Sequence, residues 1–164
     1  MRITKNLAIA AIAVAAIAMT STMSEPVMAA MGEAAIEQRV KFMKADILKP
    51  FKAIKSFVKD GKGSAADVAA NARKISAAAS KIPALFPKGT HRGAYDEKMT
   101  RALPKIWEDW NGFKAATDTL VTESAKLATI ADTGDAKAIA AQVGAMGKMG
   151  CGGCHKPFRG AKVK

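Results

Sequence analysis

Cys151-Gly152-Gly153-Cys154-His155 is the stretch on which the reading of this chain turns, and it contains the only two cysteines in 164 residues. Two thiols three positions apart can add to the two vinyl groups of one haem, and the imidazole that follows can reach the iron from the same side. On a helix, positions 151, 154 and 155 share a face, because residues three and four apart are neighbours. Other uses of the motif fit less well. A zinc site needs four ligands, and His91, the only other histidine, cannot supply the missing two. A thioredoxin-like redox pair calls for a strand-helix-strand context, yet Gly, Lys, Met and Ala surround residue 151, with no β-branched run before it. The segment therefore reads as the attachment site of one covalent haem c, with its iron.

The other end of the chain agrees with that reading. Arg2 and Lys5 open it with positive charge, Leu7 to Met19 is an apolar run, and Val27-Met28-Ala29 offers small residues before a cut. Residues 1–29 are expected to be a cleaved export signal, with the break after Ala29 or Ala30, leaving residues 30–164 as one haem domain in the periplasm. The apolar run falls short of the roughly 18 residues of a spanning helix, so no stable membrane span is expected.

Charge narrows the partners. The full chain carries 26 Lys and Arg against 14 Asp and Glu, net +12. Loss of Arg2, Lys5 and Glu25 leaves 24 against 13, net +11, which two ionised haem propionates would lower to about +9. This balance favours encounter with a redox partner that has an acidic docking surface. An exported protein has no nucleic acid to meet, and the lysines are dispersed rather than gathered in one block.

Every long segment has helical periodicity. Ile36, Val40, Met43, Ile47, Phe51, Ile54 and Phe57 or Val58 recur at spacings of three and four from Ala34 to Val58, with Pro50 as a kink. After the breaker Asp60-Gly61-Lys62-Gly63-Ser64, a second helix from Ala65 to Lys81 carries Val68, Ala72, Ile75, Ala79 and, just past its end, Ile82. Pro83 to Thr100 is the longest connection. A third helix starts near Pro104 and presents Trp107, Trp110, Phe113, Leu120, Leu127 and Ile130. A fourth runs from Ala136 through Ile139, Val143 and Met146 to the haem motif, ending near Phe158. Gly144, Gly147, Gly150, Gly152 and Gly153 weaken it by up to about 1 kcal/mol each relative to Ala, which a flat ligand packed close to the backbone would explain.

The predicted fold is all-α: an antiparallel four-helix bundle with one covalently attached haem. Aromatic residues make up 5% of the chain, so alanine and the haem must fill much of the interior, and the haem-free protein is expected to be loosely packed. No carboxylate pair, nucleophile-base arrangement or phosphate loop suggests an enzyme.

The order of motifs resembles the cytochrome c-prime family over residues 33 to 160. The resemblance rests on Arg39-x-x-x-Met43-Lys44, Leu103-Pro104-Lys105-Ile106-Trp107, Gly134-Asp135, and the C-terminal Cys-x-x-Cys-His followed by Phe158-Arg159. Small cytochromes c of the common kind carry their haem motif near the N-terminus instead. Within the family, members with a bulky non-ligating distal residue have a five-coordinate iron, whereas low-spin, cytochrome c-556-like relatives place a methionine four residues after an arginine. Arg39 and Met43 have that spacing, so the resemblance implies His155 as proximal and Met43 as distal iron ligand. It further implies propionate or haem-pocket contacts for Arg39 and Arg159, and a homodimer through helices 1 and 2. Elimination alone leaves Met43, Met99 and His91 as sixth-ligand candidates, because Met146 and Met149 precede His155 on its own helix. The expected function is an exported mono-haem electron carrier; the alternative is a high-spin protein that binds nitric oxide or carbon monoxide.

Overall fold

The computed structural model describes residues 25–163, and all its regular elements are helical. The first of four arms comprises α1 (Glu25–Phe42), a π-helical segment (Met43–Leu48) and α2 (Lys49–Asp60). The second arm is α3 (Ala65–Ala79), followed by a 3₁₀ turn (Pro83–Leu85) and a long strap over residues 86–104. The third comprises α4 (Lys105–Glu108) and α5 (Trp110–Ala131). The fourth runs α6 (Ala136–Ala145), a second π segment (Met146–Cys151) and α7 (Gly152–Phe158).

Local chemistry sets these boundaries. Gly61 ends α2 in the left-handed region at φ 64°, where its N–H reaches the Phe57 carbonyl at 3.1 Å. Ser64 and Asp67 form a reciprocal capping box at the start of α3: the Asp67 N–H donates to Ser64 Oγ at 3.1 Å, and the Ser64 N–H to Asp67 Oδ2 at 2.9 Å. Asp135 caps α6 alone, its Oδ1 accepting from the Lys137 and Ala138 N–H groups at 2.9 and 3.0 Å.

The bundle closes as a ring. α2 packs on α3, α3 on α5, α5 on α6, and α6 back on α2. The α3–α5 seam is the most extensive, because Ala69, Ala72 and Ala79 let the two backbones approach and Ser76 Oγ donates to the Val121 carbonyl across it at 3.1 Å. The alanine face of α3 therefore belongs to the bundle interior, together with Val68 and Ile75. From α5, Phe113, Thr117, Leu120, Ser124 and Leu127 face the same core.

Three segments depart from the sequence expectation. Helix 1 is not a plain α-helix kinked at Pro50. It widens over Met43–Leu48, where the Lys49 N–H bonds back to the Lys44 carbonyl, and Pro50 opens α2. A proline lacks an N–H and crowds the carbonyl four residues back, and a widened turn just before it relieves both. Helix 3 begins twice, because Asp109 stops α4 and then accepts from the Gly112 N–H at 3.0 Å to cap α5. Helix 4 has its own π segment, which ends at Cys151. At the N-terminus α1 runs through the expected cleavage point at Ala29, and the rest of the export signal, residues 1–24, lies outside the described residues.

Candidate haem site

The fourth arm brings the attachment motif together as its spacing requires. Cys151 closes the π segment, and Cys154 and His155 follow in α7. Both thiols are free, half-buried and packed against the core. Burial pushes the Cys151 thiol up, and burial followed by the nearby Cys151 charge raises Cys154 to about 11. The two sulfurs are therefore neutral thiols at neutral pH. Among the described residues no group of three or more His, Cys, Asp or Glu side chains is placed to hold a metal ion.

His155 is exposed at its outer side, yet desolvation of its ring, then Arg159 and Arg101, hold it below the usual imidazole range. A neutral imidazole is the form that can ligate a metal. Arg159 Nη1 stands 3.1 Å from His155 Nδ1 and 3.4 Å from Nε2, so the guanidinium covers the ring edge. Arg159 thus lies beside His155, one helical turn beyond it.

Arg39 and Met43 lie one turn apart on the first arm. Met43 is half-buried and packs against the core beside Phe42. Arg39 is 3% exposed, so it is no ordinary surface arginine. Its Nη1 donates to Thr90 Oγ1 at 2.6 Å, and its Nη2 donates to the Thr90 carbonyl at 2.6 Å and to Thr100 Oγ1 at 2.5 Å. The guanidinium also lies 4.8 Å from the Phe86 ring centroid. Burial lowers its pKa to about 10. No carboxylate pairs with it among the described residues.

The strap joins the two sides. Phe86 packs on Phe113 at 4.9 Å and Phe113 on Phe158 at 5.4 Å, while Trp107 Nε1 donates to the Phe86 carbonyl at 3.1 Å. Leu103 N–H reaches the Phe158 carbonyl at 3.1 Å, and Gly160 N–H the Arg101 carbonyl at 2.8 Å. One segment thus grips Arg39 at one end and the chain just beyond His155 at the other. His91 Nδ1 lies 2.9 Å from the Arg92 carbonyl, and its ring lies against Trp107, which engages it within the strap. Sequence reasoning missed Phe86, Thr90, Thr100 and Arg101. A phenylalanine between two prolines and two isolated threonines have no periodicity that would single them out.

The site fits a haem on three counts. α2 packs on α6, but α1 and the first π segment make no comparable contact with the second π segment or α7, so arms 1 and 4 part at the end that holds Met43 and Cys151. The free thiols and a neutral imidazole are the groups that covalent attachment and axial ligation would need. Arg39 is a buried cation that lacks an anion, and a propionate carries one. The glycines of arm 4 divide in their roles. A Cβ on Gly150 would lie 2.9 Å from Leu120 Cδ1 and 3.3 Å from its Cα, so this glycine serves the α5 contact and not a ligand. A Cβ at Gly147 or Gly153 would meet nothing within 4 Å.

The family model described as Cytochrome C' matches residues 34–159. Cytochrome c' of Rhodospirillum rubrum is 37% identical over 89 residues, which cover 54% of this chain and 57% of that one, so the match spans little more than half of this relative. Cytochrome c' from Rubrivivax gelatinosus superposes with a TM-score of 0.64 at 31% identity, covering 78% of this chain and 96% of that structure. A nitric oxide complex of a mutant cytochrome c prime from Alcaligenes xylosoxidans gives a TM-score of 0.67 at 27% identity, covering 80% and 97%. These relatives are cytochromes c', and the methionine-ligated, cytochrome c-556-like branch suggested by Arg39 and Met43 finds no support in them. With its late Cys-x-x-Cys-His, its four-helix bundle and a match across most of its length, the chain belongs to the cytochrome c' family, whose members carry covalently attached haem c.

Proposed function

We propose that this protein is an exported haem c protein that binds a diatomic gas, nitric oxide or carbon monoxide, with Met43 covering the distal face without ligating the iron. The observation that carries the reading is the match to cytochromes c' along residues 34–159, which include a relative solved as a nitric oxide complex. In it, Cys151 and Cys154 hold the haem through thioether bonds and His155 is the proximal ligand. Arg39 faces a propionate, and Arg159 shields the proximal side. Bound haem would supply an iron able to take up a diatomic gas. Arg159 lies where it can donate to Nδ1 of the neutral His155 ring, so it would help to orient the imidazole that holds the iron. The protein binds its ligand without turning over a substrate.

The His/Met electron carrier is the second reading, and one observation favours it: Met43 places a half-buried thioether one turn from Arg39, on the arm that faces the opening. Met43→Ala separates the two. A covering Met43 predicts a high-spin spectrum in both proteins and faster carbon monoxide binding in the variant. A ligating Met43 predicts a low-spin parent that turns high-spin on substitution, and that result would remove the first reading.

For partners we propose an acidic protein surface. Lys41, Lys44, Lys49, Lys52, Lys55 and Lys59 are exposed along arm 1, and none forms an ion pair among the described residues. A homodimer through arms 1 and 2 brings such basic surfaces together, so its association should strengthen as salt rises. No helix of the described residues is long and apolar enough to cross a membrane, and export to the periplasm completes the proposal.

A further inference from the structure

A buried arginine whose partners are all neutral calls for an explanation. Thr90 and Thr100, at 2% and 3% exposure, are themselves buried and hydroxyl-bearing in a strap where valine would fit as well by shape. Each hydroxyl is oriented by the strap's own backbone. Thr90 Oγ1 donates to the Pro87 carbonyl at 2.8 Å, which turns its lone pairs toward Arg39; Thr100 Oγ1 accepts from the Ala102 N–H at 3.1 Å and from Arg39. Three of the five guanidinium donors are thereby fixed, and two remain for a further acceptor. A carboxylate in place of either threonine would orient the arginine equally well, but it would also cancel its charge. The threonines do the first without the second.

We infer that Thr90 and Thr100 are positioning residues that hold Arg39 as an uncompensated cation aimed at the haem carboxylates, and so raise the reduction potential of the iron. This inference rests on the placement of a haem propionate at Arg39. A fixed positive charge near the haem disfavours the ferric state, which carries one charge more than the ferrous, and a guanidinium released into water loses that effect through screening. The latch also explains why the strap is bound at both ends, since Arg101 and Leu103 fix it to the chain beyond His155.

The test is spectroelectrochemical titration of the mature haem-loaded protein and of Arg39→Gln, Thr90→Val, Thr100→Val, Thr100→Ser and Thr119→Val. Thr119 is a half-buried control whose hydroxyl bonds only within its own helix. Both strap valine variants should lower the potential in the direction of Arg39→Gln, Thr100→Ser should restore the parent value, and Thr119→Val should leave it unchanged. Strap valine variants at the parent potential, alongside a shifted Arg39→Gln, overturn the inference and leave the propionate contact standing. An unshifted Arg39→Gln overturns the propionate contact itself. Proton exchange at the guanidinium groups of the unsubstituted protein, followed by nuclear magnetic resonance, tests the latch without any variant. Arg39 should exchange far more slowly than the exposed Arg73, and equal rates overturn the inference.

Discussion

Gly150→Ala puts the packing beside the attachment motif under direct load. Two effects of opposite sign meet there. Replacing glycine by alanine inside a helical segment stabilises it by up to about 1 kcal/mol through backbone entropy and propensity. Against this, the new methyl would sit 2.9 Å from Leu120 Cδ1 and 3.3 Å from Leu120 Cα. The first contact can be relieved by turning the leucine side chain; the second is backbone and yields only if α5 and the second π segment move apart. Overpacking of this kind costs about 1–3 kcal/mol. The expected net is a loss of up to about 2 kcal/mol, or up to roughly 8 °C in Tm for a domain of this size. Gly144→Ala is the control, because its Cβ meets nothing within 4 Å and only the stabilising effect operates. Thermal unfolding of the haem-loaded protein, followed by far-ultraviolet circular dichroism, should give shifts of opposite sign. A Gly150→Ala protein more stable than its parent would refute the claim that this glycine exists for the α5 contact.

Changing both Cys151 and Cys154 to serine should abolish haem that survives acid-organic extraction, and retained pigment would sink the covalent assignment. In haem-free protein at pH 8, iodoacetamide should alkylate Cys154 about 100-fold more slowly than an unfolded thiol, since its pKa rises from 9.0 to about 11. The sign for stability follows: between those two values the unfolded chain has lost the proton while the folded one keeps it, so the haem-free protein weakens as pH rises above about 9. A flat stability profile from pH 8 to 11 would contradict this. Ser64→Ala should cost about 1 kcal/mol by removing a reciprocal cap, read as a lower denaturation midpoint with an unchanged slope.

Those elements that depend on local chemistry were legible from the sequence. The apolar periodicity of α3 and α5 and the break over Asp60–Ser64 are one-dimensional signals, and the structure has them where the spacing predicts. The attachment motif was legible because covalent chemistry fixes its spacing. The two π segments were not, because a single widened turn leaves the apolar pattern nearly intact on either side. Arg39 was legible as a candidate only through the family resemblance, and its burial depends on Thr90 and Thr100, 51 and 61 residues away. The role of Met43 is not legible, since a methionine four residues after an arginine looks the same in sequence whether its sulfur binds iron or merely fills space.

The most direct test is the absorption spectrum of the matured protein in ferric and ferrous forms, before and after carbon monoxide. A gas-binding cytochrome c' with a non-ligating Met43 predicts a high-spin spectrum and a prompt shift of the ferrous form on addition of the gas. A low-spin spectrum that resists carbon monoxide would contradict it and return Met43 to the iron.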